Sequence, residues 1–311
     1  MKQYQDLLRK IREQGVDKLS DVRTKYADGK VAGYYSIDSE MLKFDLRDGH
    51  PLSTLSKKSF HLILTELLWF INGDTDLKTL TDQNNPIWTK NAWDQSVRDG
   101  NTQTLQEFTE THSHYDMGPI YGQQWRDFGG VDQLQGCIDK LRNAPNDRRM
   151  IVSAWNPPEL EDMALPPCHL LYQFFSYPMS HADRCEIANM DLTSEELDDM
   201  GVPRRYINMC MYQRSVDTLL GLPFNISSYA TLLQLVARTV NAQPRVLSMA
   251  LGDCHIYDRH LDQVDELLTR STKDLPSLLV AKKDNLEDYT YEDFKLLGYN
   301  PHPMVKGEMA I

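Results

Sequence analysis

The chain has 311 residues, 41% of them apolar and 25% charged, with a formal net charge of -12 at pH 7. That is enough apolar material for one sizeable core, and no apolar run approaches the roughly 18 residues that a membrane-spanning helix requires. The acidic balance argues against a nucleic-acid partner, whose phosphates are gripped by excess Lys and Arg, so an anionic ligand would have to be held by local arginine clusters.

The opening MKQYQDLLRK is polar and amphipathic, unlike a secretory signal with an apolar centre. Tyr4, Leu7, Leu8 and Ile11 recur at helical spacing and predict a helix over 2–15 with one buried stripe. Residues 60–72, FHLILTELLWFIN, are apolar on almost every side and predict a buried helix. Glu66 lies in its middle, a costly place for a carboxylate without a partner or a task. Residues 131–143 predict another amphipathic helix, closed by the turn Ala144-Pro145-Asn146-Asp147.

From there the texture becomes β-like. Runs rich in Val, Ile, Tyr and Phe at 148–155, 169–176, 206–213, 245–251 and 277–282 predict strands. Between them FNISSYATLLQLVARTV, 224–240, predicts a long helix that needs cover on most faces. Residues 177–205 are polar, with a capping box from Thr193 to Glu196 and a stop at Gly201. They predict a surface insertion with one short helix. The whole is α+β: a single domain over 1–311, a mixed sheet covered by helices, with the long buried helix central.

Five cysteines (137, 168, 185, 210 and 254) are an odd number without C-x-x-C spacing. They read as reduced thiols of a cytoplasmic protein and not as a disulfide frame or a zinc site, so no metal is expected.

Chemistry-bearing residues cluster in four places. In LPPCHLLYQFFS, Cys168 and His169 are adjacent, so on a strand they point to opposite faces, and Cys168 is either a nucleophile or an inert buried thiol. Arg148-Arg149 and Gln213-Arg214-Ser215 offer forked donors and a hydroxyl suited to a phosphate, with Arg23 a third candidate; surface ion pairs are the plain alternative. Asn225 offers an amide that matches a pyrimidine edge, or else it caps the long helix. His255 and Tyr257, two apart, share one strand face and could hold a sugar; a metal there would lack a third clear ligand.

Taken together, DRRMIVSAWNPPELEDMALPPCHLLYQF, MYQRSVDTLLGLPFNISSYATL, GDCHIYDRH and GYNPHPMVKGEMAI resemble the thymidylate synthase family over nearly the whole chain. The resemblance implies that Cys168 attacks C6 of dUMP, and that C5 then takes the one-carbon unit of 5,10-methylenetetrahydrofolate. It implies phosphate contacts from Arg23, Arg214 and Ser215, with Arg148 and Arg149 donated by the other subunit of a homodimer. Clustered cations would then lower the thiol's pKa. By the same resemblance Gln213 and Asn225 bind the base, and asparagine at 225 favours dUMP over dCMP. His255 and Tyr257 would hold the 3′-hydroxyl, Glu66 would organise water and proton transfers, Tyr121 would assist loss of the C5 proton and His169 would order water near O4. Ile87, Trp88, Asp217, Leu220, Gly221, Phe224 and Ala310 would line the folate site, with Asp217 also serving catalysis.

Four stretches depart from the family pattern. Arg23–Gly29 lacks the glycine-rich loop, Thr54-Leu55-Ser56 replaces Thr-Thr-Lys, Thr89 follows Trp88 where aspartate is customary, and Arg259 resembles the hydroxymethylase branch. Reductive methylation to dTMP is the main expectation. Water addition giving 5-hydroxymethyl-dUMP is the alternative, and a non-catalytic nucleotide-binding or RNA-regulatory relative the remote one, against which Cys168, Arg214 and Asn225 argue.

Overall fold

The computed structural model describes residues 1–20, 22–111 and 114–310, so Ile311 of the C-terminal motif lies outside the described residues. The helices are α1 (Lys2–Gln14), α2 (Phe60–Ile71), α3 (Leu77–Thr81), α4 (Thr89–Arg98), α5 (Leu105–Thr111), α6 (Tyr121–Arg126) and α7 (Gln133–Asn143). They continue with α8 (His181–Ala188), α9 (Ser194–Asp199), α10 (Leu222–Thr239) and α11 (Leu261–Thr269). The strands are β1 (Val16–Lys18), β2 (Tyr34–Asp45), β3 (Ile151–Ser153), β4 (His169–Pro178), β5 (Arg205–Asp217), β6 (Gln243–Tyr257), β7 (Ser277–Val280) and β8 (Phe294–Leu297).

Six strands form one sheet in the order β1-β2-β6-β5-β4-β3. All neighbours are antiparallel except β5 and β6, which α10 connects as a crossover. The predicted stripe of α1 is buried as Tyr4, Leu7, Leu8 and Ile11. Helix α2 buries Ile63 to Thr65 and Leu67 to Ile71, and α10 buries most of its length; both helices belong to one core that runs from Met1 to Val305. Fully burying a Leu or Ile contributes about 1.5–3 kcal/mol, so both all-round apolar helices are interior, α10 against β5 and β6 and α2 against α10 and α6.

Three expectations need correction. The insertion holds two short helices, α8 and α9, because Ser180 begins its own capping box with Asp183 in addition to the one from Thr193 to Glu196. The segment 277–282 does not join the main sheet but pairs with β8 in a separate ribbon. Strand β2 was not anticipated: its YYSIDSEMLKFD lacks a long apolar run, yet it pairs with β6 across eleven register positions.

Candidate active site

Cys168 sits where the Pro166-Pro167 turn feeds into β4, beside the end of β5. The backbone N–H of Arg214 donates to the Cys168 carbonyl at 2.8 Å. Its guanidinium donates from Nε to the Pro167 carbonyl at 2.8 Å and from a terminal nitrogen to the Pro166 carbonyl at 3.2 Å. The two prolines thus anchor the arginine next to the thiol. On the other side Gly252 of β6 comes so near that a Cβ there would lie 2.6 Å from the Arg214 carbonyl oxygen, which only glycine permits.

Within one chain the thiol is raised. Burial pushes its pKa above the ordinary value, and Arg214 pulls it back only in part. The reason is geometric: among the described residues, Arg214 is the cation that acts on the thiol. Arg23 is exposed, and Arg148 and Arg149 lie exposed on the far edge of the sheet. Ile151 pairs with Gln173, which puts Arg149 about 20 Å along β4 from Cys168. Arg149 is instead paired with Asp147 at 3.0 Å.

A wall of rings stands over the sulfur. The Tyr121 hydroxyl accepts the Cys168 backbone N–H at 2.7 Å, and its ring stacks on His169 at 4.2 Å. The Tyr229 hydroxyl and His169 Nδ1 are 3.0 Å apart. Behind them Trp88 donates its indole N–H to Glu66 at 2.8 Å. Burial raises the Glu66 carboxyl to about 7, the Trp88 bond opposing, whereas burial drives His169 down to about 3. Glu66 therefore exchanges a proton near neutrality, and His169 stays neutral.

These shifts predict the pH dependence of folding. His169, and His50 lodged between Ser227 and Gln234, both titrate at about 3 when folded, below the ordinary value, so the unfolded chain gains protons first as pH falls. Their stabilisation is complete above about 6.5 and declines toward 3. Glu66, raised to about 7, acts in the opposite sense and strengthens the fold as pH falls through that window. Two histidines against one carboxyl leave a net loss of about 2 kcal/mol between pH 6.5 and 5. Thermal unfolding across that range should show the decline, and a rising Tm would refute it.

The base-facing residues meet on the same side. Asn225 lies inside α10 and does not cap it; its Oδ1 accepts from Gln213 Nε2 at 3.0 Å. Gln213 Nε2 also reaches the Ser215 carbonyl at 3.2 Å, while Gln213 Oε1 is buried without a partner, an acceptor a ligand could satisfy. His255 and Tyr257 share one face of β6 as expected, their rings 4.9 Å apart, and His255 Nδ1 is 2.9 Å from Asp253.

Asp217 ends β5 and accepts the backbone N–H groups of Leu219 and Leu220 on one oxygen, at 2.8 and 3.0 Å, which shapes the turn through Gly221 into α10. Ile87, Leu220 and Phe224 are partly buried and Trp88 is buried. Ala310 packs on the cluster of Tyr26, Ala32 and Tyr257. Two residues were passed over. Tyr229 could have been found one helical turn beyond Asn225. Lys58, in a KKS run that reads as surface, is buried, donates to the Leu219 carbonyl at 3.3 Å and is lowered by burial to about 8.

The departures from pattern hold the mouth of the site. Arg259 pairs with Asp28 at 2.8 Å and Glu308 at 2.7 Å and lies 3.9 Å over the Tyr26 ring, joining the altered loop to the C-terminal segment. Ser56 accepts the Val305 N–H at 2.9 Å, and the Thr54 carbonyl accepts that of His302 at 2.9 Å. Thr89, at the start of α4, is buried with its hydroxyl unpartnered.

The family model described as thymidylate synthase matches residues 2–311. The chain belongs to the thymidylate synthase family. Its relatives include the thymidylate synthases of Mycoplasma genitalium (38% identical over 321 residues) and Mycoplasma pneumoniae (37% over 321), each alignment covering 100% of both chains. That of Enterobacteria phage T4 is 38% identical over 326 residues, again with 100% of both chains covered. Thymidylate synthases are methyltransferases, and the full-length match to proteins of that name does not favour the hydroxymethylase reading despite Arg259.

Proposed function

We propose that the chain, as one catalytic domain, converts dUMP to dTMP with 5,10-methylenetetrahydrofolate as cosubstrate. The observation that carries this reading is the surroundings of Cys168: Arg214 tethered beside the thiol, its neighbour Gln213 holding Asn225, and Tyr121 in reach of both Cys168 and the neutral-range Glu66.

In this reading the phosphate lies against Arg214, Ser215 and Arg23. Asn225 has its Oδ1 fixed by Gln213, which orients the amide toward uracil N3 and O4. Cys168 sulfur bonds to C6, and the displaced electron pair moves onto O4, where Glu66 supplies a proton through water. C5 is then nucleophilic and takes the one-carbon unit, and Tyr121 assists removal of its proton. The folate supplies the carbon and the hydride, and hydride arrival at the exocyclic methylene expels the Cys168 sulfur from C6 and frees dTMP and dihydrofolate. The apolar flank of Ile87, Trp88, Leu220, Gly221 and Phe224 suits a flat ring system, Asp217 keeps a carboxylate oxygen for its N–H groups, and Ala310 helps close the mouth.

Aspartate accepts but does not donate, so Asn225→Asp should shift the kcat/KM preference toward dCMP by about 10²-fold or more. Unchanged selectivity in competition assays would place base reading elsewhere.

The sheet supports a homodimer. Met41, Ala250, Tyr212 and Leu171 align across four strands on the face away from the core, and Met41, Tyr212 and Leu171 are 51%, 38% and 38% exposed. A twofold partner covering this row would bring its own edge arginines over. Mixing Arg148→Ala with Cys168→Ala should therefore regenerate about a quarter of normal activity, since half the dimers are hybrids with one intact site. No recovery under subunit exchange would refute the shared site. Among the described residues no helix is long and apolar enough to cross a membrane; five free thiols fit a reducing cytoplasm, and the net charge of -12 argues against a nucleic-acid partner.

A further inference from the structure

The insertion between β4 and β5 places three metal-type donors together, far from the reacting thiol. His181 and Cys185 stand one turn apart on α8, and the left-handed Asn189 that ends this helix turns the chain so that Asp191 joins them. One ligand atom from each lies within 4.8 Å of the others. His181 Nε2 and Cys185 Sγ are 3.5 Å apart. Tetrahedral zinc with Zn–S of about 2.3 Å and Zn–N of about 2.0 Å imposes a separation of about 3.5 Å between such atoms. Ser194 Oγ lies 3.4 Å from the other ring nitrogen, Nδ1, where it can accept the ring proton and leave the Nε2 lone pair free for the ion.

The surroundings favour a cation. Between residues 179 and 204 seven Asp and Glu face two Arg, and Arg184 is turned away, paired with Asp198 at 2.6 Å. Buried Arg184 and Leu197 hold the insertion in shape, and Cys185 Sγ lies 3.6 Å from the Leu192 carbonyl, a weak bond that metal uptake would replace. The C-x-x-C rule missed the cluster because its ligands are mixed and the third arrives through a turn.

We propose that His181, Cys185 and Asp191 form a site for one zinc-class divalent ion, with the fourth position open to water. Strand β4 is ten residues long, so the site is about 30 Å from Cys168 and separate from catalysis. The ion would bind the thiolate, and uptake would release the Cys185 proton to solvent.

Cobalt(II) titration of the full chain tests this. One equivalent should give the thiolate-to-cobalt charge-transfer band in the near ultraviolet, bleached by added zinc. Cys168→Ser should keep the band and Cys185→Ser should lose it, with circular dichroism showing that both variants are folded. Asp191→Asn should weaken binding by about tenfold or more. Absence of the band, or a band that survives Cys185→Ser and vanishes in Cys168→Ser, would overturn the proposal.

Discussion

Cys168→Ala should abolish turnover, by about 10⁴-fold or more, while leaving dUMP binding measurable. The two effects separate because the residue's backbone and its sulfur serve different ends. Its N–H to Tyr121 and its carbonyl to Arg214 are main-chain bonds that alanine retains. The phosphate and base contacts proposed for Arg214, Asn225, His255 and Tyr257 do not involve the thiol. What alanine removes is the one atom able to bond to C6, without which C5 never becomes nucleophilic. Calorimetric binding of dUMP beside single-turnover assays makes the comparison. Substantial turnover in this variant would remove Cys168 from the chemistry.

Glu66→Gln should lower kcat by about 10²–10⁴-fold and change the shape of the pH profile. The reactive form needs a thiolate at Cys168 and a proton on Glu66. The thiol's pKa is raised and Glu66 titrates at about 7, so the two groups ionise in the reverse of the order the reaction uses. Below about 7 activity rises as thiolate accumulates. Above it each gain in thiolate is cancelled by loss of the Glu66 proton, and kcat/KM levels off. In the glutamine variant no proton is lost and the residual rate should keep rising past that point. An unaltered break near 7 would assign it to another group. Binding the dianionic substrate beside Cys168 opposes the thiolate, so the protein's single close cation, Arg214, has to be supplemented; the partner's Arg148 and Arg149 are the proposed source.

Much of this site was legible because its residues contradict their surroundings. Glu66 interrupts an apolar helix, Pro166-Pro167 precedes a Cys-His pair, and Asn225 sits among apolar neighbours in α10. Such conflicts between residue and environment mark positions held for chemistry. The spacing of His255 and Tyr257 gave their common face directly, because the strand period is two. Electrostatics was less legible. Sequence counted the arginines but could not weigh burial against them: within one chain burial raises the Cys168 thiol, and the lowering expected from clustered cations rests on the Arg148 and Arg149 proposed to come from the other subunit. Lys58 and Tyr229 were hidden for a related reason: burial depends on tertiary packing, and a lysine in a polar run looks solvated until a neighbouring turn covers it. Strand β2 escaped because Ser36, Asp38 and Glu40 lie on the same face as Leu42 and Phe44, so its core-facing side reads as apolar only near its end.

Arg259 and the altered loop bear on the fate of the one-carbon unit. After the folate's carbon is transferred, hydride yields a methyl group and water a hydroxymethyl group. The clasp from Arg259 to Asp28 and Glu308 joins two segments that border the site and so favours exclusion of water. The most direct measurement is to incubate the protein with dUMP and methylenetetrahydrofolate, weigh the nucleotide formed and follow the folate spectrum. The methyl product with one dihydrofolate per nucleotide is the predicted result. The hydroxymethyl product with tetrahydrofolate would contradict it.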